Sequence, residues 1–198
     1  LKVCGMREKE NILEVAALQP DFIGFIFYNK SPRYVGEDFR LPKNFPDTIS
    51  RVGVFVNEEV GKISVLAKEY TLDYLQLHGK ESLQQVKKLK ELGFKIIKAF
   101  AVDDDFDFSA AQEYQPYCDF FLFDTKGKQY GGNGQTFNWE VLNRYTLEVP
   151  FFLSGGLNPD NVKGAMQIDH PSFFALDVNS GVEVSHGVKN TERIKQLI

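Results

Sequence analysis

Val3-Cys4-Gly5 places a thiol at the end of a strand pattern, where the glycine that follows leaves it an unobstructed outlook. The ordinary pKa of a thiol is about 8.5, and nearby positive charge is expected to lower it enough for the thiolate to act as base or nucleophile. Asp124 closes the run Phe120-Phe121-Leu122-Phe123. A carboxyl beside so much aromatic surface is expected to be poorly solvated, which raises its pKa and lets it donate a proton near neutrality. A base and an acid of this kind suit a reaction built from proton transfers. Ser154-Gly155-Gly156 and Asn179-Ser180-Gly181 are small, glycine-bearing turns whose backbone N–H groups can approach an anion closely, although glycine also serves ordinary tight turns. Arg33, in Ser31-Pro32-Arg33-Tyr34, reads either as a fork for a carboxylate or as a surface ion pair. His78 reads as a site group or as a satisfied structural histidine, and Cys118 as a small buried hydrophobe.

These residues fall at the ends of short apolar runs. Several runs, such as 22–27, 52–56 and 120–123, lack the alternation of a sheet with one wet face, so they belong in a parallel sheet covered by helices. Strands are predicted near 1–4, 21–27, 51–56, 73–77, 95–100, 119–123, 149–153 and 173–178. Helices are predicted near 7–18, 38–44, 58–69, 81–92, 107–115, 138–144, 159–166 and 189–197. Asn57 before Glu58 and Glu59, Gly93, and Asn158 before Pro159 read as helix boundaries. Eight repeats of about 25 residues predict an α/β fold, one (β/α)8 TIM barrel over residues 1–198, rather than an open doubly wound sheet. Such a barrel gathers Cys4, Arg33, Asn57, Gln76 to His78, Phe100, Asp124, Ser154 and Asp177 at one mouth, and its loops after strands seven and eight are a common phosphate site.

Lys plus Arg total 23 against 27 Asp plus Glu, a net charge of −4 that gives no electrostatic footprint for nucleic acid or an anionic membrane. No apolar stretch approaches the roughly 20 residues of a membrane span. Two cysteines without a CxxC or Cys/His cluster predict neither a disulfide scaffold nor a metal site, and make a reducing cytoplasm the expected location. No secretory leader pattern is present, and because the chain opens within a strand pattern a few residues are expected ahead of Leu1. Gly131 to Thr136 lacks the P-loop lysine, since Gln135 precedes Thr136, and is read as an active-site loop.

Seven segments in register at successive strand ends resemble the phosphoribosylanthranilate isomerase family of tryptophan biosynthesis. They are Lys2 to Met6, Gly24 to Phe27 running on to Ser31-Pro32-Arg33-Tyr34, Gly53 to Asn57, Leu75 to Gly79, Phe123-Asp124-Thr125, Leu153 to Leu157, and Asp177 to Glu183. The resemblance implies an Amadori rearrangement of a phosphosugar-anthranilate, with Asp124 as general acid and Cys4 as general base. It places Arg33 at the anthranilate carboxylate, Gly155, Gly156, Ser180 and Gly181 at the phosphate, and His78 and Asp177 in the substrate site, Asp177 near the sugar. No cofactor is implied, because the iminium is itself the electron sink. Both a monomer and an oligomer stay open. Where family members more often carry a lysine and an aspartate, this chain has Gln135 and Asn138, so no charged contact is expected from that loop. A related aminoaldose isomerase would be expected to carry an aspartate in place of Cys4, and a thiol-redox protein would need a resolving cysteine beside it.

Overall fold

The computed structural model describes residues 1–126 and 136–198, so Gly131 to Gln135 of the expected active-site loop lie outside the described residues. Strands β1 (Lys2–Val3), β2 (Phe22–Ile26), β3 (Ser50–Phe55), β4 (Tyr74–Leu77), β5 (Lys95–Val102), β6 (Phe120–Thr125), β7 (Phe151–Leu153) and β8 (Phe173–Val178) form a closed parallel barrel. Closure runs through Lys2 opposite Asp177 and Val3 opposite Val178. The apolar strand runs are therefore explained by burial on both faces.

Alternation along the strands sorts the core into two layers. Phe22, Val52, Ile97, Ala99, Leu122 and Phe152 fill the barrel interior. Phe121, Phe123 and Phe151 point the other way, into the shell beneath the helices, where Phe123 meets Phe108, Tyr145 and Phe151 at ring separations of 5.1 Å each. Phe120, Phe152 and Phe174 pack at 4.6–5.4 Å in the barrel's lower layer and fill the interior there.

Helices α1 (Lys9–Ala16), α2 (Val60–Glu69), α3 (Leu83–Glu91) and α5 (Thr191–Lys195) follow β1, β3, β4 and β8. The α3 start is a capping box between Ser82 and Gln85, and Gly93 stands beyond its end at φ 88°. After β5 and β6 the helices are 3-10, Phe108–Tyr117 and Trp139–Arg144, the first containing Pro116, which has no N–H to donate. After β7 only the short α4 (Val162–Ala165) forms, while Asn158 shapes the preceding turn by accepting from the Asp160 N–H at 2.8 Å.

The helix predicted at 38–44 is absent: the segment forms turns. Pro42 blocks helical bonding there and restrains Leu41, while Phe39 and Phe45 reach the core one by one, each packing on Phe25. The predicted helix at 189–197 is also preceded by a hairpin that periodicity missed, β9 (Glu183–Ser185) and β10 (Val188–Lys189), in antiparallel pairing. Asn57 is no helix cap. It adopts φ 52°, accepts from the Lys80 N–H at 2.6 Å and donates its own N–H to Glu81 at 2.8 Å, tying the β3 and β4 loops together.

Candidate active site

The strand ends meet in a cleft at the mouth of the barrel. Cys4, Arg33, His78, Asp124, Asp177 and the two glycine turns all line it. Asn57 and Phe100 do not. Phe100 faces the outer shell, edge-on to Phe121 at 5.2 Å.

Cys4 follows β1, buried, with its N–H bonded to Val178 O at 2.8 Å. Room for its sulfur comes from Gly24 of β2, where an added Cβ would lie 2.7 Å from Sγ. The expected lowering of the thiol pKa does not occur. Burial pushes Cys4 up, and the opposing pull of the Lys2 and Lys189 ammonium groups is the smaller effect. Lys2, two residues earlier on the same face of β1, is fully buried inside the barrel and bonds Asp177 at 2.8 Å. Burial disfavours the Lys2 charge, but Asp177 and Cys4 together raise its pKa above the ordinary lysine value.

Asp124 stands two positions beyond Leu122 on the inward face of β6. Half of the aromatic run beside it points outward, so the expected aromatic surroundings of the carboxyl are not formed. Instead, its two oxygens accept from the Thr125 N–H at 2.9 Å and from His78 Nε2 at 3.2 Å. The Gln76 amide donates to His78 Nδ1 at 2.7 Å, an assignment that leaves the ring proton on Nε2, facing Asp124. Gln76 Oε1 is buried without a partner among the described residues. His78 is thus a site group tied to the acid candidate, and Gln76 fixes its orientation.

Arg33 is neither a surface residue nor an open fork. It is buried, and its Nε and Nη2 donate to Glu183 at 2.8 and 2.7 Å, which leaves Nη1 without a bond to any described residue. Glu183 also accepts from Lys189 Nζ at 2.6 Å, and Lys189 in turn donates to Asn179 Oδ1 at 2.6 Å and to Asn179 O at 3.2 Å. Burial opposes the Glu183 charge, yet Arg33 and Lys189 hold its pKa below the ordinary carboxylate value. Burial also lowers Lys189 to about 8, against the pull of Glu183. Gly5, at φ 75°, gives space to this assembly: an added Cβ would lie 2.7 Å from Asn179 Oδ1 and 2.9 Å from Arg33 Cδ.

The turns after β7 and β8 adjoin at the rim, where an added Cβ on Gly181 would lie 2.0 Å from Leu157 O. The N–H groups of Gly155, Gly156, Ser180 and Gly181 donate to no described residue and border the cleft. Ile26, Val54 and Val56 form an apolar wall on the β2/β3 side. The arrangement offers an acid, a base, a cradle of amides for an anion and a flat apolar face for a ring. Lys2, Gly24, Glu183 and Lys189 were given no role by sequence reasoning; for Lys2 and Gly24 the available signal was a charge or a glycine at an inward position of an apolar strand, whereas Glu183 and Lys189 lie on the hairpin that periodicity missed.

The family model for N-(5'phosphoribosyl)anthranilate (PRA) isomerase matches residues 1–198. The chain belongs to this family. An N-(5'-phosphoribosyl)anthranilate isomerase from Parabacteroides distasonis is 44% identical over 204 residues, covering 100% of this chain and 91% of the relative. The crystal structure of phosphoribosyl anthranilate isomerase from Thermotoga maritima superposes with a TM-score of 0.84 at 38% identity, over 99% of this chain and 95% of that one. A family member solved in complex with reduced 1-(o-carboxyphenylamino)-1-deoxyribulose 5-phosphate gives a TM-score of 0.80 at 35% identity, covering 99% of this chain and 94% of that one. Asn138 caps the 3-10 helix Trp139–Arg144 by accepting from the Glu140 N–H at 3.1 Å.

Proposed function

We propose that this chain converts N-(5'-phosphoribosyl)anthranilate into 1-(o-carboxyphenylamino)-1-deoxyribulose 5-phosphate by an Amadori rearrangement, with Asp124 as general acid and Cys4 as general base. Asp124 protonates the furanose oxygen, the ring opens and the nitrogen carries the iminium. Cys4 then takes the proton from the adjacent sugar carbon, giving an enolamine that tautomerises to the ketone. His78 orients Asp124, and Asp177, held by Lys2, lies near the sugar. The phosphate lies against the amides of Gly155, Gly156, Ser180 and Gly181. The anthranilate ring lies on the Ile26/Val54 wall, with its carboxylate toward Arg33 Nη1. The observation that carries this reading is that acid, base and both anion-recognising ends share one cleft.

The chain acts as one barrel domain. The reaction is placed in the cytoplasm, where a free thiol stays reduced; among the described residues no helix is long and apolar enough to cross a membrane. The test is a continuous assay of the loss of anthranilate-adduct fluorescence. Asp124→Asn keeps a hydrogen bond to the ring oxygen but cannot transfer a proton, so kcat is expected to fall by about 10²–10⁴-fold with KM within about threefold. Turnover within about tenfold of wild type, a barrier difference of only about 1.4 kcal/mol, would assign the acid role to another group.

A further inference from the structure

We propose that Glu183 and Lys189, paired across the hairpin that precedes α5, are positioning residues that align the carboxylate-facing and phosphate-facing ends of the cleft as one unit. The inference rests on the proposed reading of the cleft, and concerns how its two ends are held. Neither residue lines the cleft, yet each holds one that does. Glu183 engages two of the three nitrogens of the Arg33 guanidinium, so that Nη1 is left in a fixed direction. Lys189 grips Asn179 by both side chain and carbonyl, at 2.6 and 3.2 Å, directly before Ser180 and Gly181.

Glu183 Oε1 joins the two grips, accepting from Arg33 Nε at 2.8 Å, Lys189 Nζ at 2.6 Å and the Gly187 N–H at 3.1 Å. Lys189 is itself anchored at its backbone by the buried Asn11 of α1, which accepts from its N–H at 2.7 Å and donates to its carbonyl at 2.9 Å. Two cations around one carboxylate leave a net positive charge behind the cleft, which suits a substrate carrying an anion at each end. Because the assembly is buried, losing one member leaves the others mispositioned and not merely resolvated.

The inference is tested by measuring dissociation constants for inorganic phosphate and for anthranilate, each alone, by ligand-observed NMR, with thermal melting and turnover in parallel. Lys189→Met is expected to weaken phosphate about tenfold and leave anthranilate within about twofold, whereas Glu183→Gln weakens both about tenfold. Asn179→Ala leaves every buried charge in place and is expected to reproduce the phosphate-selective loss, so the test survives if the charge variants fail to fold. Equal effects of Lys189→Met on both ligands, Glu183→Gln leaving either ligand within about twofold, or Asn179→Ala leaving phosphate within about twofold, would overturn the inference. Wild type without turnover would instead overturn the proposed reaction.

Discussion

Lys2–Asp177 and Lys98–Glu81 each pair a buried barrel-strand lysine with a buried carboxylate, at N–O distances of 2.8 and 3.0 Å. They differ in which face of the strand carries the lysine. Lys2 points into the barrel, and its partner borders the cleft. Lys98 points outward and, besides Glu81, donates to the carbonyls of Leu77, Gly79 and Ala99. Glu81 in turn accepts from the N–H groups of Asn57 and Gly79, so this pair ties the loops after β3 and β4 to β5. The electrostatics diverge as well. At Lys98 burial outweighs Glu81 and the pKa is lowered, whereas at Lys2 the Asp177 and Cys4 neighbours more than offset burial and the pKa is raised. Identical side-chain chemistry therefore borders the cleft on one face of the barrel wall and anchors loops on the other.

The sharpest division between the two faces is expected at the cysteines. Cys4→Ser replaces the proposed base by a hydroxyl far too weakly acidic, and is expected to lower kcat by about 10³-fold or more with substrate binding retained. Cys118→Ser, behind the barrel wall, is expected to leave kcat within about twofold; a Cys4 variant with near-normal turnover would remove the distinction. Next come the lysines. Lys2→Met and Lys98→Met each strand a buried carboxylate and are expected to lose about 3–5 kcal/mol by denaturant unfolding. Only Lys2→Met is expected also to impair kcat/KM in its folded fraction, and equal kinetic damage from both would show that the inward face is not special.

The smallest effect concerns pH. Burial holds the Cys4 thiol above its ordinary pKa, so the free enzyme carries little thiolate at neutrality and gains it as pH rises. Inactivation by iodoacetamide, localised to Cys4 by mass spectrometry, is expected to accelerate steadily through pH 9 without a plateau. A plateau near pH 7 would mean that Lys2 and Lys189 outweigh burial. Cys118, pushed up to about 12 by burial, is expected to stay unmodified over the same range.

The β/α repeat, the barrel and the gathering of Cys4, Asp124 and the two glycine turns in one cleft were legible in the sequence, because strands buried on both faces read as apolar runs and most residues that end those runs lie at the mouth. Legibility failed wherever a partner comes from far along the chain. The 38–44 segment reads as a helix in spite of Pro42, and only packing against Phe25 shows what Phe39 and Phe45 do instead. Arg33 reads as an open fork until Glu183, 150 residues later, occupies it. The Asp124 surroundings depend on strand alternation, which turns Phe121 and Phe123 away from the carboxyl and leaves His78 and the Thr125 N–H beside it. Local pattern thus determined most of the residues that reach the mouth, with Asn57 and Phe100 the exceptions. Tertiary structure decided their partners and their proton affinities, because hydrogen bonding, burial and charge act through space between strands that the chain order keeps apart.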